Sequence, residues 1–588
     1  MNDPDADEVE LEFPQANVVA VNAIAGALAS TLGPATMDKL LVTQLADNET
    51  QSPTSSSIDD VVVANDGATI LAHLPLEHPV APIVRRIVGP ERPGTTDVEG
   101  QDVADGVTTT AVLAAALLDE ATTLLDLGVH QADILRGYHA GLDVALETID
   151  GLTVHLDAVD DRDAAELAVA RSAMTGNDVG GLRESVARMA VEAVDHVGAP
   201  TERTLAVRRL ESGSVSDSRL VRGAVLDRND VVHERMPTRI EDASVLVIGG
   251  YRRGKASDGR SGGLLDPVVQ RDGERLSIES PGDIEAFDDV FADRRDAVVS
   301  GLVSAGVDVV VTRLGISSEY ATLLADHGIM GVRGVNRLKL AQVAGATGAS
   351  LVMDPTDAEP SALGTAGVVE QWAVEPRRNG RARRRMVVFD ECPEPAAVTV
   401  VLRGVFGQLA DQATTEVRKA VLAVAAARGT GSHRPGVVPG AGAVEVQVAR
   451  AVREAATRED SRAQLALSAF ADAVERPAFA LAKNAGADPL SVLADLRAAA
   501  DREEGAAGFV LPDRIVTDAA AAGVLDPAAI RRACYVAAVE VATLILRVDD
   551  ALDATFEREP TDPDDVIYDE RAEMRQDHLE NREQARSD

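Results

Sequence analysis

Apolar residues recur along the chain with two different periods, and the switch between them divides it. Residues 14–150 and 431–550 carry Ala, Leu and Val at helical spacing, as in Thr109–Leu127 and Ala533–Leu546, which predicts helices there. Between about 218 and 365 the pattern changes to short β-branched runs separated by helical segments. Val245–Gly249 and Val309–Thr312 are short runs without charge, rich in β-branched residues, which predicts strands covered on both faces, as in a parallel sheet. Tyr320–Asp326 and Leu338–Ala346 predict the helices that follow them. An α/β middle between two helical segments far apart in sequence implies one domain inserted into another.

The polar stretches punctuate this pattern. Asp47–Ser57, Gly89–Gly100 and Arg253–Gly263 are rich in Gly, Pro, Ser or Thr without any apolar period, and predict solvated loops. From about Phe556 onward the chain is highly charged and lacks an apolar stripe, which predicts a disordered or solvated tail. Val368–Val388 predicts a hairpin, because two strand-like runs flank Arg377-Arg378-Asn379-Gly380 and Asn-Gly is a strong two-residue turn signal. The arginines around it are either an anion site or, the commoner case, a solvated turn on a very acidic protein.

Length and charge narrow the class. At roughly 100–200 residues per domain, 588 residues suggest about three to five domains. Lys and Arg total 57 against 96 Asp and Glu, a net charge of −39, which repels polyphosphate and anionic lipid and excludes general binding to nucleic acid or membrane surfaces. The clean apolar run Ala111–Leu118 is far short of the ~20 residues that span a bilayer. The N-terminus is acidic with no apolar core of a secretory signal, and two cysteines, Cys392 and Cys534, are too few for a disulfide framework or a zinc site. The expectation is a soluble, multi-domain, cytoplasmic protein. Five lysines among the 57 basic residues and 3% aromatic content resemble proteins of a high-salt cytoplasm, where concentrated cations screen self-repulsion, or else an ordinary acidic protein of a GC-rich genome.

Three short segments combine a tight turn with an acid or hydroxyl: Thr31-Leu32-Gly33-Pro34 leading to Met37-Asp38-Lys39, Asn65-Asp66-Gly67-Ala68-Thr69, and Asp105-Gly106-Val107-Thr108-Thr109-Thr110 opening an apolar helix. Gly and Thr before a helix present free N–H groups to an anion, and an Asp at the same place can hold Mg²⁺ against a phosphate. Taken singly, each is matched by many turns that only cap a helix. Their order and spacing, with Glu77-His78-Pro79 between, strongly resemble the group II chaperonins of thermosome and TCP-1 type. The second half agrees: Arg403-Gly404, Val437–Ala443 (VVPGAGA), Asn484–Pro489 (NAGADP), Gly523–Pro527 (GVLDP) and Ile545–Asp550 (ILRVDD) follow in that family's order, and Gly315-Ile316, Gly328–Arg333 and Ala346–Ala349 join in from the middle.

The resemblance, which runs from about residue 15 to 555, implies an α+β multi-domain fold. A helical equatorial nucleotide-binding domain would comprise 1–150 and 431–555, an intermediate domain 151–217 and 366–430, and an inserted α/β apical domain 218–365, with 556–588 as the acidic tail. It implies a chaperonin subunit of a double ring that binds unfolded proteins and assists their folding, with ATP and Mg²⁺ as cofactors and homologous subunits as partners. Thr31, Leu32, Gly33, Pro34, Gly67, Asp105, Gly106, Thr108 and Thr109 would surround the phosphates, Asp105 would hold the metal, and Asp66 would be catalytic. Gly440, Gly442 and Asp526 would line the nucleoside side, with Asp526 accepting from ribose hydroxyls. A lid helix would include Ile284, Phe287, Val290 and Phe291, which share one helical face; ordinary core packing explains that stripe equally well.

The departures from the family pattern carry equal weight. Thr36 and Ala104 stand where the family has Gly, Val107 costs a hydroxyl, and Ala441 replaces the middle Gly of a PGGGA turn. Counted without gaps from Arg403, Asp411 falls on a family Asp. The acid that positions the hydrolytic water falls on Lys419, with Glu416 about one helical turn away. An ammonium cannot accept a proton from water. The expectation is retained ATP binding with impaired hydrolysis; the alternative is a non-hydrolysing structural or regulatory subunit that partners active paralogues.

Overall fold

Alanine-rich helices with wide apolar faces have to bury them against one another, and the two ends of the chain do this together. In the computed structural model, which describes residues 13–35, 37–43, 60–74, 78–88, 106–174, 181–227, 231–249, 281–373, 385–430, 434–502 and 506–548, one core gathers apolar side chains from Val21 to Ile149 and from Val438 to Ile545. It is built by the helices Phe13–Ala29, Val107–Asp126, Gln131–Leu152, Ala443–Ala456, Ala463–Val474 and Ala528–Arg547. The Tyr138 ring packs edge-on against Phe470 at 5.9 Å, and its hydroxyl donates to the Leu117 carbonyl at 2.6 Å, so a large buried aromatic keeps its polar end satisfied. Val107–Asp126 is long and apolar enough to cross a membrane, but 78% of its apolar window is buried in the protein, which makes it a core helix.

A second core lies in the middle of the chain. Ala224–Asp227, Arg385–Asp390, Gly364–Ala373, Arg239–Ile248, Val309–Thr312 and Met330–Val332 form a sheet in that spatial order, with Leu351–Val352 also beside Arg239–Ile248. Arg239–Ile248, Val309–Thr312 and Met330–Val332 run parallel, with Val245 opposite Val309 and Val309 opposite Met330. Residues Val245–Ile248 and Val309–Val311 are fully buried, as continuous β-branched runs in a parallel sheet require. Helices Pro281–Ala305, Ser318–Asp326 and Arg337–Thr347 alternate with these strands. The side chains of Ile284, Phe287, Val290 and Phe291 lie outside the described residues.

A third core joins segments from both sides of that sheet. Leu205–Leu210 pairs parallel with Val398–Arg403, which pairs antiparallel with Arg219–Val221. Helices Arg162–Ala173, Arg183–Val197 and Gly407–Arg428 contribute Val169, Ala187 and Val421 to the apolar interior beside it.

Three features differ from the sequence reading. Lys39–Thr43 and Asp60–Ala64 form an antiparallel pair inside a stretch whose overall period is helical. Ala507–Val510 pairs with Ile515–Asp518, a hairpin the sequence pattern does not announce. Gly364–Ala373 does pair antiparallel with Arg385–Asp390, but Ala373 faces Arg385, whereas an unbroken ladder closed by a two-residue turn at Asn379-Gly380 would put Met386 there. Residues 374–384 themselves lie outside the described residues, as do the three expected loops and the acidic tail.

Candidate functional site

The helix Val107–Asp126 enters the core with a run of small and hydroxylated residues at its start, and a cavity of about 390 Å³ opens beside that end. Gly106 caps the helix in the left-handed conformation (φ 85°), and Thr108 and Thr109 are buried behind it. A helix N-terminus leaves backbone N–H groups without intrahelical partners, which favours an anion there. The opposing turn, Thr31–Pro34, is held by two hydroxyl contacts: Thr31 Oγ1 donates to the Leu28 carbonyl at 2.7 Å and lies 3.1 Å from Thr108 Oγ1. The turn is also tied to the far end of the chain. Asn484 Nδ2 donates to the carbonyls of Ala29 and Leu32, each at 2.9 Å.

Gly67 closes the third side. A Cβ at Gly67 would collide with Thr108 Oγ1, and one at Gly106 with Cys534 Sγ, so the two glycines set how closely the backbones approach. Asp66, just before Gly67, accepts from Thr69 N at 2.8 Å and Thr69 Oγ1 at 2.7 Å through one oxygen. Its other oxygen lies 2.5 Å from Lys419 Nζ. Both side chains are buried, at 8% and 7% residue exposure. Burial pushes the Asp66 carboxyl up, but the Lys419 charge and hydrogen bond, with the bonds from Thr69, outweigh it and hold the group below the usual carboxylate range.

The other end of the cavity carries a second set of charges. Arg531 donates to Asp526 Oδ2 from Nε at 3.0 Å and from Nη2 at 2.5 Å, and from Nη1 to Glu445 Oε1 at 2.9 Å. Burial lowers the tendency of Arg531 to hold its proton, but Asp526 and Glu445 together keep it firmly protonated. Gly440 N donates to the Val524 carbonyl at 2.9 Å, and a Cβ there would stand 2.9 Å from Asp526 Oδ2. The neighbouring Ala441 takes a left-handed backbone, φ 57°, and its carbonyl accepts from Phe509 N at 2.8 Å.

Of the residues singled out from sequence, Thr31, Leu32, Gly33, Pro34, Asp66, Gly67, Gly106, Thr108, Thr109, Lys419, Gly442 and Asp526 all line this one cavity. Gly440 is in the adjoining turn. Asp105 and Thr36 lie outside the described residues. Glu416 is not among the lining residues, whereas Lys419, three positions on in the same helix Gly407–Arg428, is. Asp411 pairs with Arg209 on an exposed face. Sequence reasoning missed Glu445, Arg531, Arg171, Arg183 and Phe509, which also line the cavity. None carries a distinguishing signal: Arg531 is one of four charged residues in the helix Ala528–Arg547, beside Arg532, Glu540 and Arg547.

Glycine cradles, a helix N-terminus and cationic side chains among the lining residues, Arg171, Arg183, Lys419 and Arg531, fit a phosphorylated ligand such as ATP. Asp105, the residue expected to hold a divalent metal, lies outside the described residues. Among the described residues no three His, Cys, Asp or Glu side chains gather as a metal site, and Asp66 already holds Lys419.

Residues 24–555 match the family model described as TCP-1/cpn60 chaperonin family. The chain is 34% identical over 557 residues to a thermosome subunit beta of Aeropyrum pernix, covering 92% of this chain and 91% of that one. It is 32% identical to a thermosome subunit of Methanopyrus kandleri over 548 residues, with the same coverage, and 32% identical to a thermosome subunit alpha of Thermoplasma acidophilum over 543 residues, covering 91% and 90%.

Proposed function

The chain belongs to the TCP-1/cpn60 chaperonin family, and from that premise we propose that it is a ring subunit that binds ATP in the cavity and hydrolyses it poorly. A chaperonin role in protein folding follows from the family; the rest is specific to these residues. The division into an equatorial domain (1–150 and 431–555), an intermediate domain (151–217 and 366–430) and an apical domain (218–365) is part of the proposal; three of the apolar cores favour such a division, but the boundary at 365 does not follow them, because Gly364–Ala373 and Arg385–Asp390 belong to the sheet and core of the middle segment. Homologous subunits in a double ring, non-native proteins as clients and a cytoplasmic location belong to it as well.

The observation that carries the reading is the Lys419–Asp66 pair at 2.5 Å. Attack of water on a phosphoryl group is helped by an acceptor that orients the water and takes its proton. At Lys419 the chain offers three N–H donors and no acceptor. Asp66 remains ionised, but one of its oxygens serves Lys419 and the other Thr69. The ammonium attracts phosphate oxygens in the ground state as well as in the transition state, which strengthens binding without raising turnover. The same observation favours the regulatory alternative, in which active paralogues supply the hydrolysis.

The test is a thermal unfolding series on the purified protein in molar KCl, after light scattering has established its mass. A ring-sized species whose midpoint rises with ATP is expected. A monomer-sized species that remains so in the presence of paralogues, or a midpoint indifferent to ATP, contradicts the reading.

A further inference from the structure

Resting on the nucleotide reading above, we propose that Arg171 is a phosphate ligand held in reserve by Glu184, so that binding of the polyphosphate exchanges one anionic partner of this arginine for another. Three of the cationic side chains that line the cavity come from helices of the third core: Arg171 from Arg162–Ala173, Arg183 from Arg183–Val197 and Lys419 from Gly407–Arg428. The lining cations are held with different firmness. Lys419 pairs with Asp66 where the two side chains are only 9% and 11% exposed, and Arg531 is buried between Asp526 and Glu445. Separating either set would strand a charge away from water, which is strongly destabilising.

Arg171 is held in a way that a ligand can undo. Its Nε donates to Glu184 Oε2 at 2.7 Å and its Nη2 to Glu184 Oε1 at 3.0 Å. The two side chains are 40% and 45% exposed, and an ion pair in contact with water contributes little net stability, because solvent and salt replace most of what each partner loses. The guanidinium fork that fits a carboxylate also fits a phosphate, which carries more charge. Glu184 has a second cation within reach. Arg188, one turn further along the same helix, places Nη1 4.0 Å from Glu184 Oε1, so the carboxylate released by Arg171 keeps a partner. The exchange links occupation of the cavity to the two helices Arg162–Ala173 and Arg183–Val197, which the Arg171–Glu184 bond ties together.

Calorimetric titration of the full-length protein with a non-hydrolysable ATP analogue, in molar KCl with MgCl₂, tests this. Arg171→Met is expected to weaken the analogue by about tenfold, whereas Glu184→Gln, which removes the competing charge, strengthens it by about threefold. In the double variant the gain from Glu184→Gln is expected to vanish, because no guanidinium remains to be released. An ion pair that only holds the two helices together would shift both single variants in the same direction. That result, no shift in either, or a gain from Glu184→Gln that survives in the double variant overturns the inference and leaves the nucleotide reading intact. Wild-type protein that does not bind the analogue overturns both.

Discussion

Ala441 stands where the turn between Val437–Pro439 and Ala443–Ala456 demands a left-handed backbone, and it adopts φ 57° despite its Cβ. The left-handed conformation costs an L-residue about 1–2 kcal/mol, while glycine there would lose about 0.5–1 kcal/mol more backbone entropy on folding. The balance predicts that Ala441→Gly stabilises the protein by about 0.5–1 kcal/mol, seen as a raised midpoint in chemical denaturation; an unchanged or lowered midpoint contradicts the account of this turn. The strain is legible in the sequence only by comparison with a family turn that has Gly at that point. Lys419 is legible in the same way: a count without gaps from Arg403 puts it at the position of an acid, and the structure brings its Nζ to 2.5 Å from Asp66. The Glu445–Arg531–Asp526 cluster is not legible, because Glu445 and Arg531 are 86 positions apart and an ion pair leaves no period behind.

At the scale of elements, legibility follows the strength of the hydrophobic period. Val309–Thr312 and Ser318–Asp326 coincide with the predicted strand and helix to within two residues, because continuous β-branched runs and helical spacing are both strong signals. The strands Lys39–Thr43 and Asp60–Ala64 give a weak one. Each is five residues long, their partnership spans sixteen intervening positions, and the surrounding stretch is helical. Register is weaker still. The pairing of Ala373 with Arg385 is one residue away from that of a regular ladder closed by Asn379-Gly380, a difference that turn propensity cannot resolve. The turns of the candidate site are readable as segments from the residues themselves, whereas their convergence follows only from the family resemblance. Asn484, which ties down the Thr31–Pro34 turn, stands in the recognisable segment Asn484–Pro489, but its contact acts across 455 positions to Ala29 and no local pattern announces it.

At the scale of the molecule, a net charge of −39 sets the conditions under which any of this can be observed. With a Debye length of about 10 Å at 0.1 M salt and about 3 Å at 1 M, repulsion between surface carboxylates extends across neighbouring elements in dilute buffer and is confined to contact pairs in molar salt. The thermal midpoint is therefore expected to rise from 0.1 M to molar KCl, and a midpoint that does not move contradicts the high-salt reading of the composition. The buried Lys419–Asp66 pair is shielded from that screening, so its effect on hydrolysis persists in the salt that stabilises the fold. Steady-state ATP turnover of the assembled wild-type protein beside Lys419→Asp, in molar KCl with Mg²⁺, tests the central claim most directly. Loss of a positioned base removes about 10²–10⁴-fold in rate, so wild type should turn over at least about a hundredfold more slowly than an active relative, and Lys419→Asp should recover part of that loss. Wild-type turnover equal to that of an active relative, with no gain in Lys419→Asp, would contradict it.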